Sequence, residues 1–255
     1  MTGSPERTCA AFLELADRHA PGLVEGLYLQ GSIALGDYRP GVSDIDFVAV
    51  TNGRPDAGAL RRVHADLRAR HPAPMFDGIY VTWDDLRRAP GERPRGPAVH
   101  GWRFAEESGF ERHLVTWHVL AQGGVAVRGP SVAELGVHTD WEAFARATEE
   151  NLATYWTRWV EGSSRPLSLG GVAALVGSRV SWGALGVTRL RHSLAAGEVT
   201  SKTAAAGYAF ETFDERWHRI VREALRIRVG GERQYSHPVS RRADLVAYMR
   251  MVLRS

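Results

Sequence analysis

Two carboxylates two residues apart, Asp44 and Asp46, open an otherwise apolar run, Asp44 to Val50. In an extended segment alternate side chains share a face, so the two acids point together while Ile45 and Phe47 point the other way. Neighbouring carboxylates repel unless a cation lies between them. Oxygen ligands in small number suit magnesium, which keeps part of its water and takes phosphate oxygens. Upstream, Gly31-Ser32 follows the apolar Leu27-Tyr28-Leu29. A glycine there lets a phosphate approach the backbone, and a helix beginning beyond it offers N–H groups to an anion. The stretch 27–50 therefore reads as a site for a triphosphate and magnesium.

The elements around it must hold that geometry. An amphipathic helix is expected over 5–19, ended by Pro21-Gly22, then a strand over 23–29. A helix is expected to start at Ile33, and a turn-rich loop with Pro40 and Gly41 leads to a second strand over 44–51. Leu60, Val63 and Leu67 have helical spacing within 56–70, and Met75 to Thr82 reads as a third strand interrupted by Asp77. Asp84 and Asp85 follow Trp83 at what reads as a helix start, where acids favour the dipole. Residues 88–101, rich in Pro, Gly and Arg, read as a long connection, followed by a helix over 110–120 and a short strand over 125–127. From Asp140 the pattern turns helical: a long aromatic-striped helix over 141–160, helices within 168–195, two more after a cap at Thr200 or Ser201, and a last one over 240–254. The aromatic stripe reads as core.

The bulk numbers set limits. The chain has 255 residues, 44% hydrophobic and 24% charged, as in ordinary globular proteins. A single cysteine, Cys9, excludes an internal disulfide framework. No apolar run has the length of a membrane span, and the first residues lack the pattern of a secretory leader, so a cytoplasmic protein without membrane contact is expected. The formal charge is only +3, and arginine pairs such as Arg61-Arg62, Arg87-Arg88 and Arg241-Arg242 are short and read as solvated helix faces. Without a basic stripe, nucleic acid is not an expected partner.

Gly31-Ser32, Gly36 and Ser43-Asp44-Ile45-Asp46-Phe47 together resemble the signature of the nucleotidyltransferase superfamily. A second block, Arg189, Gly197-Glu198, Ser201-Lys202 and the alanines after it, with Gly129-Pro130 and Glu134-Leu135, is similar to one branch of it. That branch is the aminoglycoside adenylyltransferases that act on streptomycin and spectinomycin. The resemblance implies an α+β architecture: a polymerase-beta-like mixed sheet with helices over residues 1–137, and an α-helical bundle over 138–255 that serves the substrate and closes on the nucleotide. It implies transfer of AMP from ATP, with two magnesium ions, to a hydroxyl of a small-molecule acceptor, and hence antibiotic resistance; a monomer is expected. Asp44 and Asp46 become metal ligands, Gly31, Ser32 and Ser43 nucleotide contacts, and Asp77 the third catalytic carboxylate, as metal ligand or general base. Lys202, the sole lysine, and Arg189 would neutralise phosphate, and Trp102 would stack on the acceptor. The chain departs from that branch at Val180-Ser181-Trp182-Gly183-Ala184, where the family carries acids for the drug; Glu106, Glu107, Glu149 and Glu150 are the acids available to compensate. Transfer to another metabolite, a protein or an RNA end stays open, as does a non-catalytic nucleotide-binding module.

Overall fold

A computed structural model describes residues 4–53 and 55–255. The chain divides into two compact units, Met1–Asp140 and Trp141–Ser255.

The first unit is built on one six-stranded sheet. In chain order its elements are α1 (Pro5–His19), β1 (Val24–Leu29), α2 (Gly31–Ala34), β2 (Ile45–Thr51), α3 (Ala57–Arg70), β3 (Phe76–Val81), α4 (Trp83–Leu86), β4 (Gly96–His100), β5 (Arg103–Ser108), α5 (Leu114–Gly123) and β6 (Val125–Arg128). The spatial order is β5-β4-β3-β2-β1-β6. Among the described residues only β2 and β3 run parallel. The helix between them, α3, makes that crossover possible. Alternation along β2 and β3 splits the core into two layers. Ile45, Phe47, Phe76 and Tyr80 pack with Phe12 and Leu15 of α1 and with Leu60, Val63 and Leu67 of α3. Val48, Val50, Ile79 and Val81 face the other way, against Leu86, Trp117 and Leu120. Capping side chains set the helix starts: Ser4 for α1, Asp56 for α3, and a reciprocal Thr82–Asp85 box for α4. Asp85 is thus a capping acid, which leaves Asp77 as the acid inside β3.

Two sequence expectations change here. Residues 88–101 are not a long connection, because 96–100 form β4 and 103–108 form β5. The β5 segment RFAEES lies at the sheet edge and is mostly exposed, so it carries no apolar alternation to read. The turn joining the two strands is Gly101-Trp102, both at positive φ (57° and 63°), the backbone of a two-residue hairpin turn in which tryptophan is an uncommon occupant. The helix after Leu29 also begins earlier than expected, at Gly31 itself, and β2 begins at Ile45, leaving Asp44 one residue outside.

His64 is the buried polar group of the α3 layer. Its ring sits among Phe12, Phe47 and Phe76, and its Nε2 is 2.6 Å from the Tyr80 hydroxyl. Burial pushes the imidazole down to about 3, against 6.5 for the exposed group. Between those values the unfolded chain takes up a proton that the folded protein excludes, so stability falls as pH falls. The group adds a slope of about 1.4 kcal/mol per pH unit below its unfolded pKa. Urea unfolding followed from pH 7.5 to 4.5 is expected to lose this slope in His64→Gln; an unchanged slope would refute the assignment.

The second unit is helical: α6 (Trp141–Asn151), a π-helical turn (Leu152–Trp156), α7 (Thr157–Ser164), α8 (Leu169–Ala173), α9 (Gly177–Ala196), α10 (Lys202–Thr212), α11 (His218–Val229) and α12 (Pro238–Arg254). The expected single helix over 141–160 is therefore interrupted by the wider turn at its centre. Helix α9 is central: Val180, Ala184, Leu185 and Val187 join Trp156, Val160, Tyr248 and Met249 in one core. Gly183 and Gly186 are needed for this, since a Cβ at either would press into Trp159 or Trp156. Ser201, not Thr200, caps α10. The Arg241 guanidinium, read as solvated, is only 12% exposed and binds Glu223. Among the described residues no helix is long and apolar enough to cross a membrane.

Candidate active site

The phosphate-loop candidate is fixed by a backbone bond from β1 to β2. Gln30, the residue between β1 and α2, donates its N–H to the Asp46 carbonyl at 2.9 Å. Gly31 follows at φ +59°, and a Cβ there would collide with Asp46 Oδ2. Glycine is required twice at this position, for the left-handed backbone and for the close approach to a carboxylate. The Ser32 hydroxyl is buried with no hydrogen-bond partner in the structure. An unsatisfied buried hydroxyl is costly, and a phosphate oxygen beside it would satisfy it. The loop is closed by the Asp37 N–H donating to the Ser32 carbonyl at 2.8 Å. Ser43 is at the other end of the connection, its Oγ accepting from the Arg39 N–H at 3.1 Å and so shaping the turn into β2.

Asp46 and Asp77 are register partners across the parallel pair β2–β3. Register partners carry their side chains on the same face, here the one opposite Phe47 and Phe76. Asp77 is 4% exposed. Both of its carboxylate oxygens accept from the Gly101 N–H, at 3.0 and 2.9 Å, and His100 Nδ1 stands 3.3 Å from one of them. The Gly101-Trp102 turn thus holds the carboxylate from behind. Asp44 shares the parity of Asp46 but lies exposed just outside β2. It lines a cavity of about 350 Å³ together with Trp102 and Arg68.

The donors here are all oxygens, and Gly31 leaves room for the Asp46 carboxylate, so the residues fit a hard divalent cation. Among the described residues no three Asp, Glu, His or Cys side chains stand close enough to form a finished metal cluster. Arg189 and Lys202 belong to the second unit. Thr200 Oγ1 donates to the Arg189 carbonyl at 3.4 Å, which folds the start of α10 back along the turn of α9 that carries Arg189. Lys202 is the first residue of α10.

Sequence reasoning overlooked Glu111. It sits at φ 56°, an unusual conformation for a non-glycine residue. Its Oε2 accepts from Thr116 Oγ1 at 2.5 Å and from Gln30 Nε2 at 3.4 Å, next to the phosphate-loop candidate. No periodicity marks it, because it lies in the loop before α5. Of the acids proposed to compensate for the missing drug-binding carboxylates, Glu106 is engaged by Arg61 at 2.7 Å and Glu149 by Arg191 at 2.8 Å.

The nucleotidyltransferase domain family matches residues 10–88. The C-terminal domain family of aminoglycoside adenylyltransferases matches residues 180–255. Among solved structures, the spectinomycin adenyltransferase AAD(9) from Enterococcus faecialis, crystallised with ATP and spectinomycin, superimposes with a TM-score of 0.73 at 11% identity. The match covers 97% of this chain and 98% of that one. Among curated proteins no sequence matches.

Proposed function

From the premise that this chain belongs to the nucleotidyltransferases, as an aminoglycoside adenylyltransferase-like enzyme, we propose that it transfers AMP from ATP to a hydroxyl of an aminoglycoside-like small molecule. The observation that carries the proposal is the packing of Gly31 on Asp46, with Asp77 in register beside it. That arrangement sets a phosphate loop against one carboxylate and a second carboxylate one strand away.

The backbone at Gly31 and the Ser32 hydroxyl bind the triphosphate, and Ser43 orients the loop on its far side. Asp44 and Asp46, with Asp77 adjoining, would hold magnesium. When bound, that ion offsets triphosphate charge and polarises the reacting phosphorus–oxygen bonds. The acceptor oxygen forms a bond to the α-phosphorus, the bond from that phosphorus to the bridging oxygen breaks, and pyrophosphate leaves with the electron pair. Asp77 takes the acceptor's hydroxyl proton, its carboxylate aimed by the Gly101 N–H. Lys202 and Arg189 are assigned to the departing pyrophosphate, and Trp102 to a face of the acceptor ring. ATP and a small-molecule acceptor are supported by the ligands named for the AAD(9) structure, and loss of drug activity by AMP transfer would make the enzyme a resistance factor.

The test is incubation of the protein with ATP, magnesium and a panel of aminoglycosides, read by pyrophosphate release and product mass. Expected are equal amounts of pyrophosphate and AMP-bearing product for at least one compound, and none with Asp44→Asn. Full turnover by Asp44→Asn would overturn the mechanism.

A further inference from the structure

Gln30 and Glu111 form a polar pair beside the phosphate-loop candidate, and neither belongs to the motifs that carry the family resemblance. Gln30 extends the carboxylate row across the sheet. Asp46 is the register partner of Asp77 on one side. On the other, the antiparallel pairing of β1 with β2 matches Tyr28 with Val48 and Leu29 with Phe47. It runs on to Gln30, whose N–H donates to the Asp46 carbonyl. Gln30 therefore shares the face of Asp46 and Asp77. Its side chain is 3% exposed and immediately precedes Gly31. A carboxylate has no proton to give, so the end of the amide that meets Glu111 is its NH2. Gln30 Nε2 donates to Glu111 Oε2 at 3.4 Å. The amide oxygen is then the end available to donors in the site.

Glu111 is itself held in place. Its backbone lies in the left-handed region, φ 56°, in the loop before α5. A non-glycine residue persists there only where its surroundings hold it. The same Oε2 accepts at 2.5 Å from the hydroxyl of Thr116, a fully buried residue of α5. Helix α5 in turn packs on α2, so closely that a Cβ on Gly123 would meet the Ala34 carbonyl. The carboxylate is thus tied to the helix that supports the loop.

We propose that Gln30 is a further nucleotide-binding residue and that Glu111 is the positioning residue that orients its amide towards a magnesium-bound triphosphate. The assignment rests on the transferase reading for the identity of that ligand. Glu111 touches no reacting atom and acts through Gln30.

The test is a double-mutant cycle on the full chain, read by calorimetric titration with α,β-methylene-ATP and magnesium. Glu111→Ala and Gln30→Met are each expected to weaken binding about tenfold, the scale of one hydrogen bond. The double variant should also lose about tenfold, because both changes remove the same contact. Glu111→Gln keeps an acceptor oxygen for both donors and should recover affinity to within about threefold. In AMP transfer the weakened variants should raise KM for ATP and leave kcat within about threefold. A lower melting temperature with unchanged affinity would assign the pair to the fold alone and overturn the proposal. Losses that multiply to about a hundredfold in the double variant would overturn it as well. The expected cycle without transfer to any acceptor would sink the transferase reading and leave the pair standing. Transfer with binding indifferent to both residues would do the opposite, and an unaltered protein that binds no nucleotide would sink both.

Discussion

Asp46→Asn is expected to lower kcat/KM for AMP transfer by about a thousandfold while leaving the melting temperature within a degree or two of the unaltered protein. The size follows from removing a full negative charge aimed at the reacting centre, where electrostatic contributions are largest. The side chain keeps its shape, so it meets Gly31 as the carboxylate does, and the backbone bond from Gln30 to the Asp46 carbonyl is untouched. Gly31→Ala attacks the same contact from the other side. It adds no charge change, yet its Cβ would collide with Asp46 Oδ2 on a backbone at φ +59°. It is expected to reduce activity to a similar degree and also to lower stability by about 1–3 kcal/mol. Asp84→Asn, on an exposed acid paired with the helix-surface Arg88, serves as the control and should leave both quantities alone. An active Asp46→Asn enzyme would remove the carboxylate pair from the reaction.

The largest effect on stability is expected at Glu223. This carboxylate is fully buried in the second unit, where Arg226 binds both its oxygens at 2.9 and 3.0 Å, Arg241 adds a bond at 3.0 Å, and the Gln234 N–H a fourth at 3.0 Å. Arg241 in turn donates to the Leu175 carbonyl at 2.6 Å, so the group ties α11, α12 and the chain before α9 together. Glu223→Ala leaves two guanidinium groups without their counter-charge, and the loss should be about 3–5 kcal/mol. Thermal unfolding of the full chain would show it as a separate early transition if the units unfold independently. Burial alone would raise the Glu223 carboxyl, but Arg226, the Gln234 N–H and Arg241 outweigh it and hold the group at about 2, below the ordinary 4.5. The network therefore contributes fully above pH 4.5 and is lost as pH falls towards 2. A Glu223→Ala protein with unchanged unfolding would show that the two arginines rearrange at no cost.

How much of this was readable in the chain differs by element. The close approach of Gly31 to Asp46 was legible because the proposed phosphate–metal site would admit few residue types at few spacings. Asp77 was legible as the one acid in an apolar strand, and its register with Asp46 follows from the parallel pair. The β4–β5 hairpin was not, since its edge strand is polar and its turn uses Gly-Trp where Asn-Gly would have announced it. The Glu223 network was not legible either. Its partners lie three, eleven and eighteen residues away, and nothing in Arg241-Arg242 distinguishes a buried guanidinium from a solvated one. Glu111 was hidden for the same reason: its partner Gln30 is 81 residues distant.

The hairpin end at Gly101 and Trp102 serves two masters. One peptide N–H binds the Asp77 carboxylate, the proposed proton acceptor, and the very next side chain bounds the cavity that Asp44 lines. Attempts to broaden the range of accepted compounds by remodelling Trp102 will therefore detune the acid at 77, so turnover and selectivity are expected to drift together in a mutant library rather than as separable traits.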